Sequence, residues 1–174
     1  MLGDLITSLL YILPAYIANA SPVLGPRLFG RRTPIDRGIL VWDGRRLFGD
    51  GKTFEGLITG ILFGTIVGLI LFSLNNPGAY RSPFEPLLLS IGTMIGDIFG
   101  SFLKRRLGLE SGASAPILDQ TGFAVFALFL GLLFYGPPSW FNVENLLLLL
   151  LITGILHLAT NSAAYVLGLK DRPY

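Results

Sequence analysis

Residues 86–106 read PLLLSIGTMIGDIFGSFLKRR. The stretch from Pro86 to Leu103 carries one charge, Asp97, and then stops in Lys104, Arg105 and Arg106. A helix crosses a bilayer with about 20 mostly apolar residues, so this stretch is a span that ends at a membrane surface. A carboxylate within a span is costly and faces a cavity or a partner. At about 1.5 Å per residue, Asp97 lies about 9 Å inside the end marked by Leu103. Ser90, Thr93, Asp97, Ser101 and Lys104 share one helix face. The span therefore has a polar stripe that leads to a basic cluster. A stripe of this kind also serves helix packing, and Asp97 can pair with Lys104 two turns away.

The remainder of the chain agrees with a membrane setting. Of 174 residues, 52% are hydrophobic and 14% charged, against about a quarter charged in soluble domains. The mean hydropathy is +0.65. These values exclude a disordered chain, a collagen-like chain and a free soluble enzyme. Cysteine is absent and His157 is the single histidine. Disulfides, thiolate or multi-histidine metal sites and a cysteine nucleophile are thereby excluded.

Five spans are expected, at about 5–26, 56–74, 86–103, 121–135 and 145–169, in one integral membrane domain over 1–174. The fourth is short, and Gly136-Pro137-Pro138 stops it. The first has Asp4 and no basic residue at its front, unlike a secretory signal, so it is read as a retained helix that Pro14 kinks. The fold class is all-α and polytopic. Seven of the 13 Lys and Arg residues lie in Arg27–Lys52, three at 104–106 and two at Lys170 and Arg172, against Arg81 alone on the other side. This asymmetry puts the N-terminus outside, and the C-terminus and the loops 27–55 and 104–120 in the cytosol. The glycines Gly56, Gly60, Gly64 and Gly68 form a close-packing face, available to internal packing or to a homodimer.

Asp119 stands in the segment 116–121, just before the fourth span. Antiparallel neighbours bring it back to the depth of Asp97. Two carboxylates amid basic residues suit a hard cation such as magnesium, although aspartate is also a common helix cap. Gly49-Asp50-Gly51-Lys52-Thr53 precedes the second span, where backbone N–H groups, a lysine and a hydroxyl can hold phosphate. It is not a P-loop, because Arg46 occupies the place of that motif's first glycine. A solvated turn with Thr53 as a cap is the plainer reading. Thr33, in the same loop, joins the substrate-binding candidates. Lys104, Arg105 and Arg106 are cytosolic anchors or phosphate ligands. In the last span, Asn161 lies about 12 Å deep, on one face with His157. It is read as interhelical glue or as part of a polar pocket. Together these residues describe a cytosol-facing cavity where a soluble phosphate compound meets a lipid, and the natural reaction is phosphoryl or nucleotidyl transfer.

The run Gly96-Asp97-Ile98-Phe99-Gly100-Ser101-Phe102-Leu103-Lys104-Arg105-Arg106-Leu107-Gly108 resembles the signature of archaeal CDP-archaeol synthases. Gly112, Pro116 and Leu118-Asp119-Gln120 continue it. Asp50-Gly51-Lys52-Thr53 with Gly56 resembles the family's earlier loop. His157, Asn161, Ala164-Tyr165, Leu167-Gly168-Leu169-Lys170 and Pro173-Tyr174 resemble its tail. The glycine- and histidine-rich segment of bacterial and eukaryotic CDP-diacylglycerol synthases is missing, which points to the archaeal branch.

The resemblance implies a cytidylyltransferase that joins CTP to 2,3-di-O-geranylgeranylglyceryl phosphate and releases pyrophosphate, with magnesium as cofactor. It implies Asp97, Asp119 and Lys104 as catalytic residues, the two aspartates holding the metal. Thr33, Asp50, Gly51, Lys52, Thr53, Ser101, Arg105, Arg106, Pro116, Gln120 and Asn161 would bind substrate. The expected setting is the cell membrane, with no nucleic-acid partner. A CTP-dependent polyprenol kinase and a small-solute or ion transporter remain open beside it.

Overall fold

Thr53 begins the second long helix by accepting a hydrogen bond from Gly56 N at 3.1 Å, a side-chain cap of the ordinary kind. In the computed structural model, which describes residues 2–74, 79–113 and 115–168 apart from the side chains at 116, 117 and 120, the chain is helical. The elements are α1 (Leu2–Ala20), a 3₁₀ turn (Ser21–Leu24), α2 (Gly25–Phe29), α3 (Phe54–Ser73), α4 (Glu85–Arg106), α5 (Pro116–Tyr135) and α6 (Val143–Val166). Lys170, Arg172 and the expected end of the last span at 169 lie outside the described residues, as do the side chains of Pro116 and Gln120.

Five long helices lie over the five expected stretches, with shifted ends, and four of the five stretches qualify as candidate spans. α1 is continuous across Pro14, and the first candidate span extends through α2 to Phe29. Lys104, Arg105 and Arg106 lie within α4, not in a loop. α5 begins five residues early, at Pro116, because proline suits the first turn of a helix. Among the described residues, four segments are long and apolar enough to cross a membrane: Leu2–Phe29, Phe54–Ser73, Glu85–Arg106 and Val143–Val166. Thr121–Tyr135 is a shorter apolar stretch. Ile58, Leu62 and Ile66 of α3, Phe129 and Leu133 of α5, and Leu147, Leu151 and Ile155 of α6 are exposed apolar side chains of the kind lipid covers.

α4 is the centre, packed against α1, α3 and α5, whereas α6 packs only against α1 and α5 among the described residues. Small residues allow this. A Cβ on Gly60 would meet Met94 of α4 at 2.6 Å and Ala18 O of α1 at 2.8 Å. One on Gly64 would meet Ser90 Oγ at 2.5 Å and Pro14 O at 2.6 Å. The glycine face of α3 is thus filled by the chain's own α1 and α4. The other side of α4 uses Gly92 and Gly96, which touch the backbone of α5 at Phe126–Ala127 and Gly122–Phe123. Without side chains in the way, backbones approach closely enough for dispersion to hold helices together in lipid.

The end of the bundle away from the long loop is locked by a buried carboxylate. Glu85 accepts from Tyr11 Oη at 2.8 Å and from Arg81 N at 2.7 Å, and it pairs with the Arg81 guanidinium. Arg81 Nη1 donates to Tyr135 O at 2.6 Å and to Gly136 O at 2.8 Å. α1 and α4 are therefore joined at Glu85, and Arg81 extends the join to the end of α5.

Gly64→Ala should lower the unfolding temperature in detergent, since overpacking costs about 1–3 kcal/mol. Gly122→Ala, whose Cβ would meet nothing within 4 Å, should leave it unchanged.

Candidate functional site

The segment between α2 and α3 has no regular element, yet two carboxylates give it a fixed shape. Asp36 is 1% exposed. It accepts from Phe48 N at 2.9 Å, Gly49 N at 2.8 Å and Gly38 N at 3.2 Å, and it pairs with the Arg46 guanidinium. Glu55, also buried, accepts from Thr33 N at 2.9 Å and Thr33 Oγ1 at 2.8 Å and pairs with Arg31 at 3.1 Å. Isolated bridges join Pro34 to Thr53 and Leu40 to Arg46. Gly49 has φ +89°, a left-handed conformation that glycine adopts without strain. The result is a folded flap that delivers the turn 49–52 to the side of α4.

There Lys52 meets the acid of the polar stripe. Its Nζ lies 2.7 Å from both Asp97 oxygens. The partner of Asp97 is thus Lys52 of the flap, while Lys104 turns to α5. Lys104 Nζ is 2.7 Å from Asp119 Oδ1, and Asp119 Oδ2 accepts from Ala115 N at 2.8 Å. Asp119 therefore steadies the start of α5 and binds a cation at once. Gly96 against Gly122–Phe123, and Gly100 facing Leu118, set the antiparallel register. Asp119 is level with Phe99 of α4, roughly 3 Å along the axis from Asp97 at about 1.5 Å per residue. A small hollow of about 40 Å³ beside Asp97 is lined by Pro22, Gly51, Lys52, Thr53 and Met94.

Arginines close the end of α4. Arg106 pairs with Asp43 at 2.8 Å, donates to Arg46 O at 2.6 Å, and stacks over Trp42 and Phe102. Arg45 Nη1 donates to Arg106 O at 2.8 Å. Arg105 is 6% exposed and donates from Nη2 to Glu110 O at 2.8 Å.

The structure thus brings Lys52, Asp97, Lys104, Asp119, Arg105 and Arg106 to one end of α4, with Gly51 beside them and Ser101 buried on the same helix. Other candidates have different immediate duties. The hydroxyl of Thr33 is held by Glu55, that of Thr53 caps α3, and Asp50 is exposed and pairs with Arg46 at 2.8 Å. Asn161 lies 2.6 Å from His157 Nε2, and His157 Nδ1 is 3.3 Å from Asn19 of α1. α6 makes no close backbone approach to α4 among the described residues. Asp36, Glu55, Arg45 and Arg46 were missed by the sequence reading. The one local signal was Asp43-Gly44 between Trp42 and Arg45, a turn pair that brings the two arginines back toward α4.

Among the described residues no group of three or more His, Asp or Glu side chains assembles. A resident all-protein cage is therefore not what the site offers. Magnesium is commonly held by one or two carboxylates together with substrate phosphates. Asp97 and Asp119, each already facing a cation, fit that mode.

The CarS-like family model, described as CDP-archaeol synthase, matches residues 1–174. The chain belongs to the CDP-archaeol synthase family. A CDP-archaeol synthase of Methanococcus aeolicus is 46% identical over 95% of this chain and 94% of its own. Those of Methanocaldococcus jannaschii and Pyrococcus horikoshii are 44% and 42% identical, covering 96% and 99% of this chain and the same shares of theirs. A solved structure of an intramembrane enzyme for archaeal membrane lipids biosynthesis superposes with a TM-score of 0.77 at 37% identity, covering 88% of this chain and 92% of that one. This member of the family is accordingly a multi-pass membrane protein, a cytidylyltransferase of archaeal membrane lipid biosynthesis.

Burial raises the pKa of Asp36, but hydrogen bonds from Arg46, Phe48, Gly49 and Gly38 outweigh it and hold the carboxyl well below its ordinary 3.8. Its contribution to flap order is fully present above about pH 4 and is lost as pH falls further. Asp36→Ala, which removes charge-assisted bonds of about 1.5–3 kcal/mol, should speed protease cleavage within 30–53 at neutral pH. Unmodified protein should show faster cleavage only under acid conditions.

Proposed function

We propose that this chain joins CTP to 2,3-di-O-geranylgeranylglyceryl phosphate at the α4 end described above, giving the CDP-lipid and pyrophosphate, with magnesium required. The observation that carries the reading is the pair of lysine–aspartate contacts, Lys52 on Asp97 and Lys104 on Asp119, held at adjacent depths by the α4–α5 register. Each lysine can exchange its carboxylate for a phosphate oxygen of a substrate. Each carboxylate so released can take a magnesium ion that arrives with the nucleotide. The metal, when bound, supplies charge neutralisation for the triphosphate and the leaving group.

The chemistry asks for little proton transfer. The lipid phosphate is anionic at neutral pH, and one of its oxygens attacks the α-phosphorus of CTP. The bond from that phosphorus to the bridging oxygen breaks, and its electron pair leaves with pyrophosphate. The barrier is the approach of two anions, which oriented cations lower. Lys52 from the flap, and Lys104 and Arg106 from α4, supply them. The turn at Asp50-Gly51 and the Thr53 cap hold Lys52 in place. The basic end faces the cytosol in this reading, where CTP resides, and the apolar helix faces keep the lipid tails in the bilayer.

Incubation of the pure protein with labelled CTP, magnesium and the lipid phosphate should yield CDP-lipid and pyrophosphate. Release of CDP instead would make it a kinase. Asp97→Asn and Asp119→Asn, tested separately in folded protein, should each reduce the rate by on the order of a hundredfold or more, as loss of groups that position a metal does. Full activity in both would remove the metal assignment. Lys52→Ala should raise the KM for CTP.

Orientation has its own test, because the chain has no cysteine. Gly44→Cys should react with an impermeant maleimide only from the cytosolic side, and Ser82→Cys only from outside.

A further inference from the structure

Two helix faces of the kind lipid covers run up to the flap. On α3, Phe54, Ile58, Leu62 and Ile66 recur every fourth residue and are all exposed. On α4, Ile95 and Phe99 are exposed apolar side chains within a candidate span, and Phe102 and Arg106 continue that face at helical spacing. Both faces end at the flap, which leads into the first turn of α3 and bonds to the last turn of α4. There the flap covers the end of each. The Arg37 guanidinium lies 6.0 Å from the centre of the Phe54 ring. The Trp42 ring lies 6.4 Å from that of Phe102, edge to face, and the Arg106 guanidinium is 5.5 Å from Trp42.

Between these two points the segment 37–42 leads from α3 to α4 and enters a hairpin. Leu47 N donates to Ile39 O at 3.0 Å, Val41 N to Arg45 O at 3.0 Å, and Gly44 N to Val41 O at 2.9 Å closes the turn. Side chains alternate along an extended strand, so Leu40 and Trp42 share a side of it. They are 60% and 83% exposed. A single exposed leucine is ordinary, but a bare tryptophan that adjoins the lipid face of a span marks an interaction surface. Its depth says which one. Phe102 is about 4.5 Å nearer the end of α4 than Phe99, and Lys104, Arg105 and Arg106 follow at once. Basic residues and tryptophan both collect where a span meets the headgroups. The charge agrees. Asp36 is matched by Arg46 and Asp43 by Arg106, whereas Arg37 and Arg45 are exposed, a positive excess that suits anionic headgroups.

We propose that the segment 37–42 is seated in the headgroup layer of the membrane that the helices span, its partner an anionic phospholipid surface. Leu40 and Trp42 reach the acyl boundary across the seam between α3 and α4, and Arg37 and Arg45 hold headgroup phosphates. The proposal rests on the membrane embedding of the family and not on the reaction proposed above. The flap is then held by lipid at its rim and by Asp97 at its turn, since Lys52 ties it to α4.

The test uses the full chain in phosphatidylglycerol nanodiscs, which leave both membrane faces open to solvent. The emission of Trp42 is the difference between the unmodified protein and Trp42→Phe, which removes the contribution of the buried Trp140. Lipid brominated high on its acyl chains should quench Trp42 more than lipid brominated near the chain ends, and acrylamide in the water should quench it less than free tryptophan. Leu40→Asp should lower the bromine quenching and raise that by acrylamide. Phosphatidylcholine discs should give less bromine quenching than phosphatidylglycerol discs, and Arg37→Gln should narrow that difference. Acrylamide quenching equal to that of free tryptophan, with none from bromine, would overturn the proposal. Equal bromine quenching in the two lipids would overturn the anionic partner. Shielding from acrylamide without bromine quenching would assign the surface to a second copy of the chain and overturn it as well.

Discussion

An ammonium held between the two oxygens of a carboxylate decides how this molecule is put together. Lys52 leaves the flap and reaches Asp97 on the central helix, so the one long loop is tied to the one helix that touches α1, α3 and α5. Neither charge is comfortable at that depth alone, because desolvation is repaid only when a partner is close and well oriented. The pair makes it possible to place a carboxylate more than one helical turn inside a membrane span. It also aligns the flap turn at 49–52.

The same logic runs through the whole basic end. Lys104 is on Asp119, Arg46 on Asp36 and Asp50, and Arg106 on Asp43. Charge is abundant, yet much of it is matched internally. An incoming polyanion must therefore exchange partners with the acids, and a divalent cation that takes up those acids makes the exchange balanced. In the proposed reaction, binding of nucleotide and metal would be coupled by this exchange of charged partners.

The span pattern was legible because lipid imposes a length and a composition that a sequence displays directly. So was the stripe from Ser90 to Lys104, because helical spacing alone fixes it. Partnership was not. Spacing suggested Lys104 for Asp97, but periodicity reports neighbours on one helix, whereas both acids found lysines from other elements. Asp36 and Glu55 stayed hidden for a related reason. A carboxylate in a polar loop looks solvated until the loop folds back and surrounds it with N–H groups. The start of α5 was missed because Asp119 and Gln120 are polar, though Pro116 marks it.

The Glu85 lock has a mechanical consequence. With Tyr11 and Arg81 converging on a single carboxylate, and the Arg81 guanidinium donating onward to the last carbonyls of α5, the helices are pinned at that pole as tongs are pinned at a rivet. Any motion that spreads α1, α4 and α5 apart at that pole has to break a buried ion pair and its hydrogen bonds first.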